Sequence, residues 1–186
     1  MPRLKGFTLA ELLIVLAIFS LITVLATPSF SQAIKANQAR SFANTLYHQL
    51  LFARTTAITM NTVVTICASD DQVNCSSTQD WSDKKLIIFT DHNLDRSIDE
   101  KDELLQVMPA PDNGQLLWKA SLGRTYQQWQ ASGMTSHNGS FYYCPEDKNL
   151  QNARIIIINR GGRPYFGQDH NNDGIQENSQ KKNISC

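Results

Sequence analysis

Between Phe7 and Thr27 the chain reads FTLAELLIVLAIFSLITVLAT, an apolar run in which Glu11 is the single ionisable side chain. At about 1.5 Å per helical residue the run spans roughly 30 Å, one hydrocarbon thickness. A chain that starts this way places its first helix in lipid or among similar helices. Arg3 and Lys5 precede the run, so the positive-inside tendency predicts Met1 in the cytoplasm and everything after Pro28 on the far side. A secretory signal has an apolar core of about 7 to 15 residues with a small-residue cleavage site behind it. This run is longer, and its candidate cleavage point lies ahead of it. A plain anchor explains the length but not Glu11, since a charge within a span costs roughly 2.5 to 3.5 kcal/mol on insertion scales. The carboxylate needs a partner.

The segment Lys5-Gly6-Phe7-Thr8-Leu9-Ala10-Glu11-Leu12 resembles the prepilin peptidase site of type IV pilins and type II secretion pseudopilins. The resemblance implies cleavage after Gly6, N-methylation of the new terminus at Phe7, and pairing of Glu11 with the terminal amine of a neighbouring subunit. An amine and a carboxylate that are each costly in lipid neutralise one another when subunits stack in register. Pro28 falls where such helices often bend on leaving the membrane, and proline there removes one backbone donor.

The 186 residues allow one globular domain beyond the helix. Lys+Arg and Asp+Glu are both 17, and loss of Arg3 and Lys5 with a leader ending at Gly6 leaves the mature side chains at minus two. Net charge therefore gives no pointer to nucleic acid. Cys67, Cys75, Cys144 and Cys186 lie in the exported part, where disulfides persist. Three pairings are open. Cys67 with Cys75, which flank the polar segment ASDDQVN, and Cys144 with the terminal Cys186 are favoured. His48, His92, His137 and His170 are scattered without metal-ligand spacing, so no metal and no cofactor are expected.

From Ser31 to Met60, Ala39, Phe42, Ala43, Leu46, Leu50, Ala53 and Ala57 recur every three or four positions, predicting an amphipathic helix continuous with the first. Strand-like segments follow at Thr62–Ala68, Lys85–Thr90, Glu103–Met108, Gln115–Ala120, Thr125–Gln130, Ser140–Cys144 and Arg154–Asn159, separated by turn residues. The expected fold is α+β, a long N-terminal helix packed on one sheet of a β-rich antiparallel head. The expected boundaries are a leader at 1–6, a membrane and assembly helix at 7–28, an amphipathic helix at 29–60 and the head at 61–186. The order of these parts, with Trp81, IIFTDHNLDRSIDEKDELL, Ala131-Ser132-Gly133-Met134, FYYC and RIIIINRGGRP, is similar to the H-type pseudopilins and the FimT/FimU minor pilins. That resemblance implies residence in the inner membrane with the head in the periplasm, and incorporation into a pilus or pseudopilus. The implied partners are the prepilin peptidase and other major and minor pilins, with a role at or near a filament tip. The alternatives are an H-type pseudopilin of a type II secretion system, and a DNA-binding minor pilin for natural transformation.

For the DNA alternative the candidate phosphate contacts are Lys148, Arg154, Arg160 and Arg163, in a stretch to Gln168 without an acid and followed by Tyr165 and Phe166. Gly161 and Gly162 would let a loop approach a phosphate backbone. DNA-binding members carry a Gly-Arg-any-Arg motif, whereas this chain has Gly162-Arg163-Pro164-Tyr165, and a β-turn explains the same residues. Two stretches, Asp91 to Arg96 and Asp169 to Gly174, look like starts of calcium loops. The first has Arg96 at the sixth position and Asp102 at the twelfth, and the second has Gly174 at the sixth but Gln180 at the twelfth. Both are expected as polar turns. With no catalytic ordering of Ser, His and Asp and no phosphate-binding loop, no enzyme is expected.

Overall fold

The computed structural model describes Gly6 and residues 8–186, the side chains of residues 24–29 excepted. Arg3, Lys5 and Phe7, which carry the topology and methylation expectations, lie outside the described residues. So do the side chains of Val24 to Thr27 at the end of the expected membrane span. Among the described residues, no helix is long and apolar enough to cross a membrane.

Helix α1 runs Leu9–Thr59 and continues as helix through Pro28. The chain divides between Asn37 and Gln38 into two compact units. In the second unit, α1 buries Ala39, Ala43, Leu46, Leu50, Ala53 and Ala57, each at 2% exposure or less, while Phe42 is half-buried. The alternating spacing of three and four places these side chains on one face.

Eight strands follow: β1 Val64–Ser69, β2 Lys85–Thr90, β3 Leu104–Met108, β4 Gly114–Ala120, β5 Tyr126–Trp129, β6 Gly139–Pro145, β7 Arg154–Ile158 and β8 Pro164–Phe166. They form two four-stranded sheets, in the orders β3-β2-β1-β5 and β4-β6-β7-β8. All pairings are antiparallel. Alternate residues of both sheets, among them Ile66, Ile88, Trp118, Phe141 and Ile156, join Leu46 and Leu50 in one core with Trp81 and Trp129. Fully burying a side chain such as Leu50 contributes about 1.5–3 kcal/mol.

The other faces of both sheets are also covered. Cys67, Ile87, Phe89 and Tyr126 pack with Cys75, Ile98 and Val107 on the first sheet. Ala153, Ile155, Ile157 and Ile184 pack with Tyr142 and Ile175 on the second. Burial on both faces explains why β1 is buried at every position and β7 at all but its first, a pattern more usual in parallel sheets. Each cover is tied down by a disulfide, and both favoured pairs form. Cys67–Cys75 and Cys144–Cys186 close segments of 8 and 42 residues, which in the chain-entropy account stabilise by about 2.5 and about 4 kcal/mol.

Candidate functional site

The start of α1 is built by Thr8 and Glu11. The Glu11 amide donates to Thr8 Oγ1 at 3.2 Å, and Glu11 Oε2 accepts from the Thr8 amide at 2.9 Å and from its hydroxyl at 3.0 Å. This reciprocal pair is a capping box, which satisfies two amides left without partners at a helix N-terminus. The segment expected to serve as a peptidase site and a register device thus also caps its own helix. Thr-x-x-Glu ahead of an apolar run is the sequence signal for that cap. Gly6, the residue before the expected cut, is exposed, and a Cβ added to it would meet nothing within 4 Å. Beyond the cap, Leu12, Ile14, Leu16, Phe19 and Ile22 are 53–65% exposed. In this unit, α1 shows apolar side chains on every side.

The four basic candidates are not brought together. Arg154 opens β7 and Lys148 lies in the turn before it, whereas Arg160 and Arg163 lie in the turn after it. The length of β7, roughly 13 Å from Arg154 to Ile158, separates Arg154 from the turn that holds Arg160. Arg154 is also committed locally, its Nη1 donating to the carbonyls of Gln151 and Ala153 at 2.8 Å. Burial, then the nearby Arg40, lowers its pKa from the usual arginine value. Gly162 serves the turn rather than a ligand. It is buried at φ +72°, a Cβ there would lie 2.0 Å from the Gly133 carbonyl oxygen, and the Gly162 carbonyl accepts from Trp129 Nε1 at 2.8 Å.

Arg160 instead lines a groove of about 730 Å³ with Lys119, Tyr142, Tyr165 and Asn178. Lys119 Nζ stands 4.6 Å from the centre of the Tyr142 ring, a cation–π contact. Burial raises the Tyr142 hydroxyl above its ordinary pKa. Neither Lys119 nor Tyr142 stands out in the sequence, because only the pairing of β4 with β6 places them side by side.

The two acid-rich stretches are loops, as expected. Asp169 Oδ1 accepts from the Asn172 amide at 2.7 Å and its Oδ2 from the Gly174 amide at 2.8 Å, so the second loop uses its first acid to close its own turn. In the first loop, Asp102 accepts from the amide and Nδ1 of His92, both at 3.0 Å. Burial works to raise the Asp102 pKa, and the hydrogen bonds from His92 and Asp99 outweigh it, leaving the carboxyl below its usual value.

Comparisons with known proteins agree on one group. The family model described as Type II transport protein GspH matches residues 43–162, and the prokaryotic N-terminal methylation motif matches residues 1–27. No match emerges among curated proteins. Among solved structures, the type IV minor pilin FimU of Pseudomonas aeruginosa is similar with a TM-score of 0.54 at 21% identity, over 71% of this chain and 90% of that one. The minor pseudopilin EpsH from the Type 2 Secretion System of Vibrio cholerae is similar with a TM-score of 0.50 at 13% identity, over 69% of this chain and 95% of that one. At these identities the likeness to solved structures is one of fold.

Proposed function

The chain belongs to the Type II transport protein GspH family, within the minor pilins and pseudopilins, and from that premise we propose that it is a prepilin cut after Gly6 and methylated at Phe7. Members of this group are structural components that assemble with other pilins after processing by a prepilin peptidase. Held in the inner membrane by its first helix, with the head in the periplasm, the protein enters a type IV pilus and helps begin or cap the filament. The observation that carries this reading is the first part of α1, which is apolar all round and exposed, with one acid at its start. A helix of that kind is stable when lipid or other helices surround it.

In this proposal Glu11 changes partner. In the single subunit its carboxylate is held by Thr8, and in the filament it neutralises a neighbour's terminal amine. The test is Glu11→Ala, followed by mass spectrometry of the mature chain and immunoblots of membrane and sheared-filament fractions. The expected result is a mature mass corresponding to cleavage after Gly6, with filament incorporation down by about tenfold or more. Normal incorporation would remove the register role. A deletion that leaves piliation normal and stops type II secretion would move the protein into a pseudopilus.

A second reading, DNA binding, is favoured by the groove that joins Lys119, Arg160 and exposed Tyr165, since backbone contacts and base stacking use cations beside aromatics. Duplex titrations at two salt concentrations test it. Arg160→Ala should weaken binding and lower the salt slope by about one, while Lys148→Ala, at the other end of β7, should do neither.

A further inference from the structure

The loop joining β2 to β3 has the composition of a cation site and the geometry to match. Its residues 91–102 hold Asp91, Asp95, Asp99, Glu100 and Asp102 against Arg96 and Lys101. One carboxylate oxygen from each of Asp91, Asp95 and Asp102 lies within 4.8 Å of the others. Exposed acids often cluster without consequence, but two of these carboxylates are withdrawn from solvent, that of buried Asp91 and that of half-buried Asp102. Asp91 is 0% exposed and the Asp102 side chain 1%. Asp91 Oδ2 accepts from Thr65 Oγ1 at 2.8 Å and from Gln128 Nε2 at 2.9 Å, both from the sheet. Its Oδ1 is buried and has no hydrogen-bond partner among the described residues. A buried carboxylate with an idle oxygen is costly unless a proton or a cation meets it. The sheet occupies Oδ2, which leaves Oδ1 as the oxygen of Asp91 open to a further partner.

The basic residues nearby do not supply that charge. The Arg96 guanidinium lies over the Tyr126 ring, 5.2 Å from its centre. Among the described residues, the basic group paired with the cluster is His92, against Asp102 at 3.0 Å, and it is charged only when protonated. Asn93 meanwhile points its Nδ2 at Asp95 Oδ2 and Asp99 Oδ2, at 2.9 and 3.0 Å. The donor end of an amide occupies the space between two carboxylates, and rotating that amide by half a turn would present its oxygen there instead.

We propose that residues 91–102 bind a calcium ion through Asp91, Asp95 and Asp102, with the Asn93 oxygen and Asp99 completing the shell. Oxygen donors at positions one, three, five, nine and twelve follow the order of a twelve-residue calcium loop. The sixth position of such loops takes glycine for its left-handed turn. Arg96 adopts that conformation without being glycine, at φ 66°. This is why the sequence pattern favours the loop at Asp169, although carboxylates of both loops accept from loop amides, Asp102 from those of His92 and Asp99 and Asp95 from that of Ser97. In that second loop His170 Nδ1 also lies 2.9 Å from Glu177 Oε2, a pairing that is ionic only when the ring is protonated and that is not an aligned hydrogen bond.

A cation here would fasten the cover of the first sheet. The Ile98 amide donates to the Val73 carbonyl at 2.9 Å, the Cys75 amide to the Arg96 carbonyl at 3.1 Å, and Ser97 Oγ to Asn74 Oδ1 at 2.8 Å. The loop is thereby stitched to the disulfide-closed segment beside it.

The test uses the full oxidised chain in detergent micelles, stripped of metal and titrated with calcium chloride by calorimetry and by thermal unfolding. The expected dissociation constant is about 0.1–1 mM, the range of extracellular calcium modules. At about 10 mM calcium the unfolding midpoint should then rise by about 3–10 °C relative to chelator. Asp95→Asn, at an exposed ligand, should weaken binding at least tenfold, and Asp173→Asn in the other loop should leave it unchanged. No binding heat and no midpoint shift at that calcium concentration would overturn the proposal. An equal response to magnesium would do so too, as would loss of binding in Asp173→Asn with retention in Asp95→Asn.

Discussion

Within α1, one helical geometry carries two opposite distributions of apolar side chains. From Leu12 to Ile22 they are more than half exposed and occur on every side, whereas between Ala39 and Ala57 six of them, Ala39, Ala43, Leu46, Leu50, Ala53 and Ala57, form a stripe that is almost fully buried, with Phe52 outside it and exposed. The contrast shows how a helix declares its partner. A stripe of one face, flanked by Gln38, Arg40 and Ser41, fits the head that the same chain supplies. An apolar surface all round asks for surroundings that a single chain does not provide. Stability of the head and incorporation into a filament should therefore respond to different positions.

The largest expected effect comes from placing a second acid in the exposed stretch. Leu16→Glu should reduce filament incorporation by about tenfold or more, given the roughly 2.5 to 3.5 kcal/mol that a charge costs within a span. The same change should leave the thermal midpoint of the head where it was. Immunoblots of sheared filaments and calorimetry of the full chain in micelles read the two quantities. Leu50→Ala should behave in the opposite way. It removes a fully buried side chain and should lower head stability by about 2–5 kcal/mol in denaturant unfolding, while processing after Gly6 continues. If Leu50→Ala stops incorporation without destabilising the head, the division between the two stretches fails.

A smaller effect should confine itself to the head. His137 is buried, with Nε2 2.9 Å from the Tyr126 carbonyl oxygen and Nδ1 3.2 Å from Ser136 Oγ. Burial lowers its pKa below the ordinary 6.5, against the hydrogen bond to Tyr126, which raises it. The folded state thus favours neutral His137, and the unfolded chain takes up the proton first as pH falls. Stability from this group is present above 6.5 and is lost as pH drops below that value toward the folded pKa. His137→Gln should flatten the slope of stability against pH in that window. An unchanged slope would assign the pH dependence to other groups.

Much of this fold is legible in the sequence because its strands are bounded by clear turns. Every strand but β8 lies within one or two residues of a segment that composition alone marks out. Pro164-Tyr165-Phe166 escapes because it is three residues long, begins with proline and, among the described residues, pairs only with β7. The division into two sheets is not legible. Runs such as Ile155 to Ile158 are buried on both faces and lose the alternation that would show which side faces the core. Of the three pairings open in the sequence the favoured one forms, and each disulfide closes over one outer face. Site chemistry is harder to read where it depends on contacts between strands. Four basic residues close in sequence fall at opposite ends of β7, while Lys119 and Tyr142, distant in sequence, meet across paired strands. The stretch from Asp91 to Arg96 reads as the start of a calcium loop with the wrong sixth residue, because the left-handed backbone of Arg96 carries no trace in the residue type.

If the exposed apolar stretch of α1 is the surface through which this chain joins a filament, other subunits must lie against it there. A photo-crosslinking residue at Phe19, 65% exposed, compared with one at buried Leu50, tests this in cells that assemble the filament. The Phe19 probe should yield covalent adducts with other pilin subunits in the sheared-filament fraction, and the Leu50 probe should yield none between chains. Filaments that incorporate the Phe19 probe yet show no adduct with another subunit would contradict that role for the stretch.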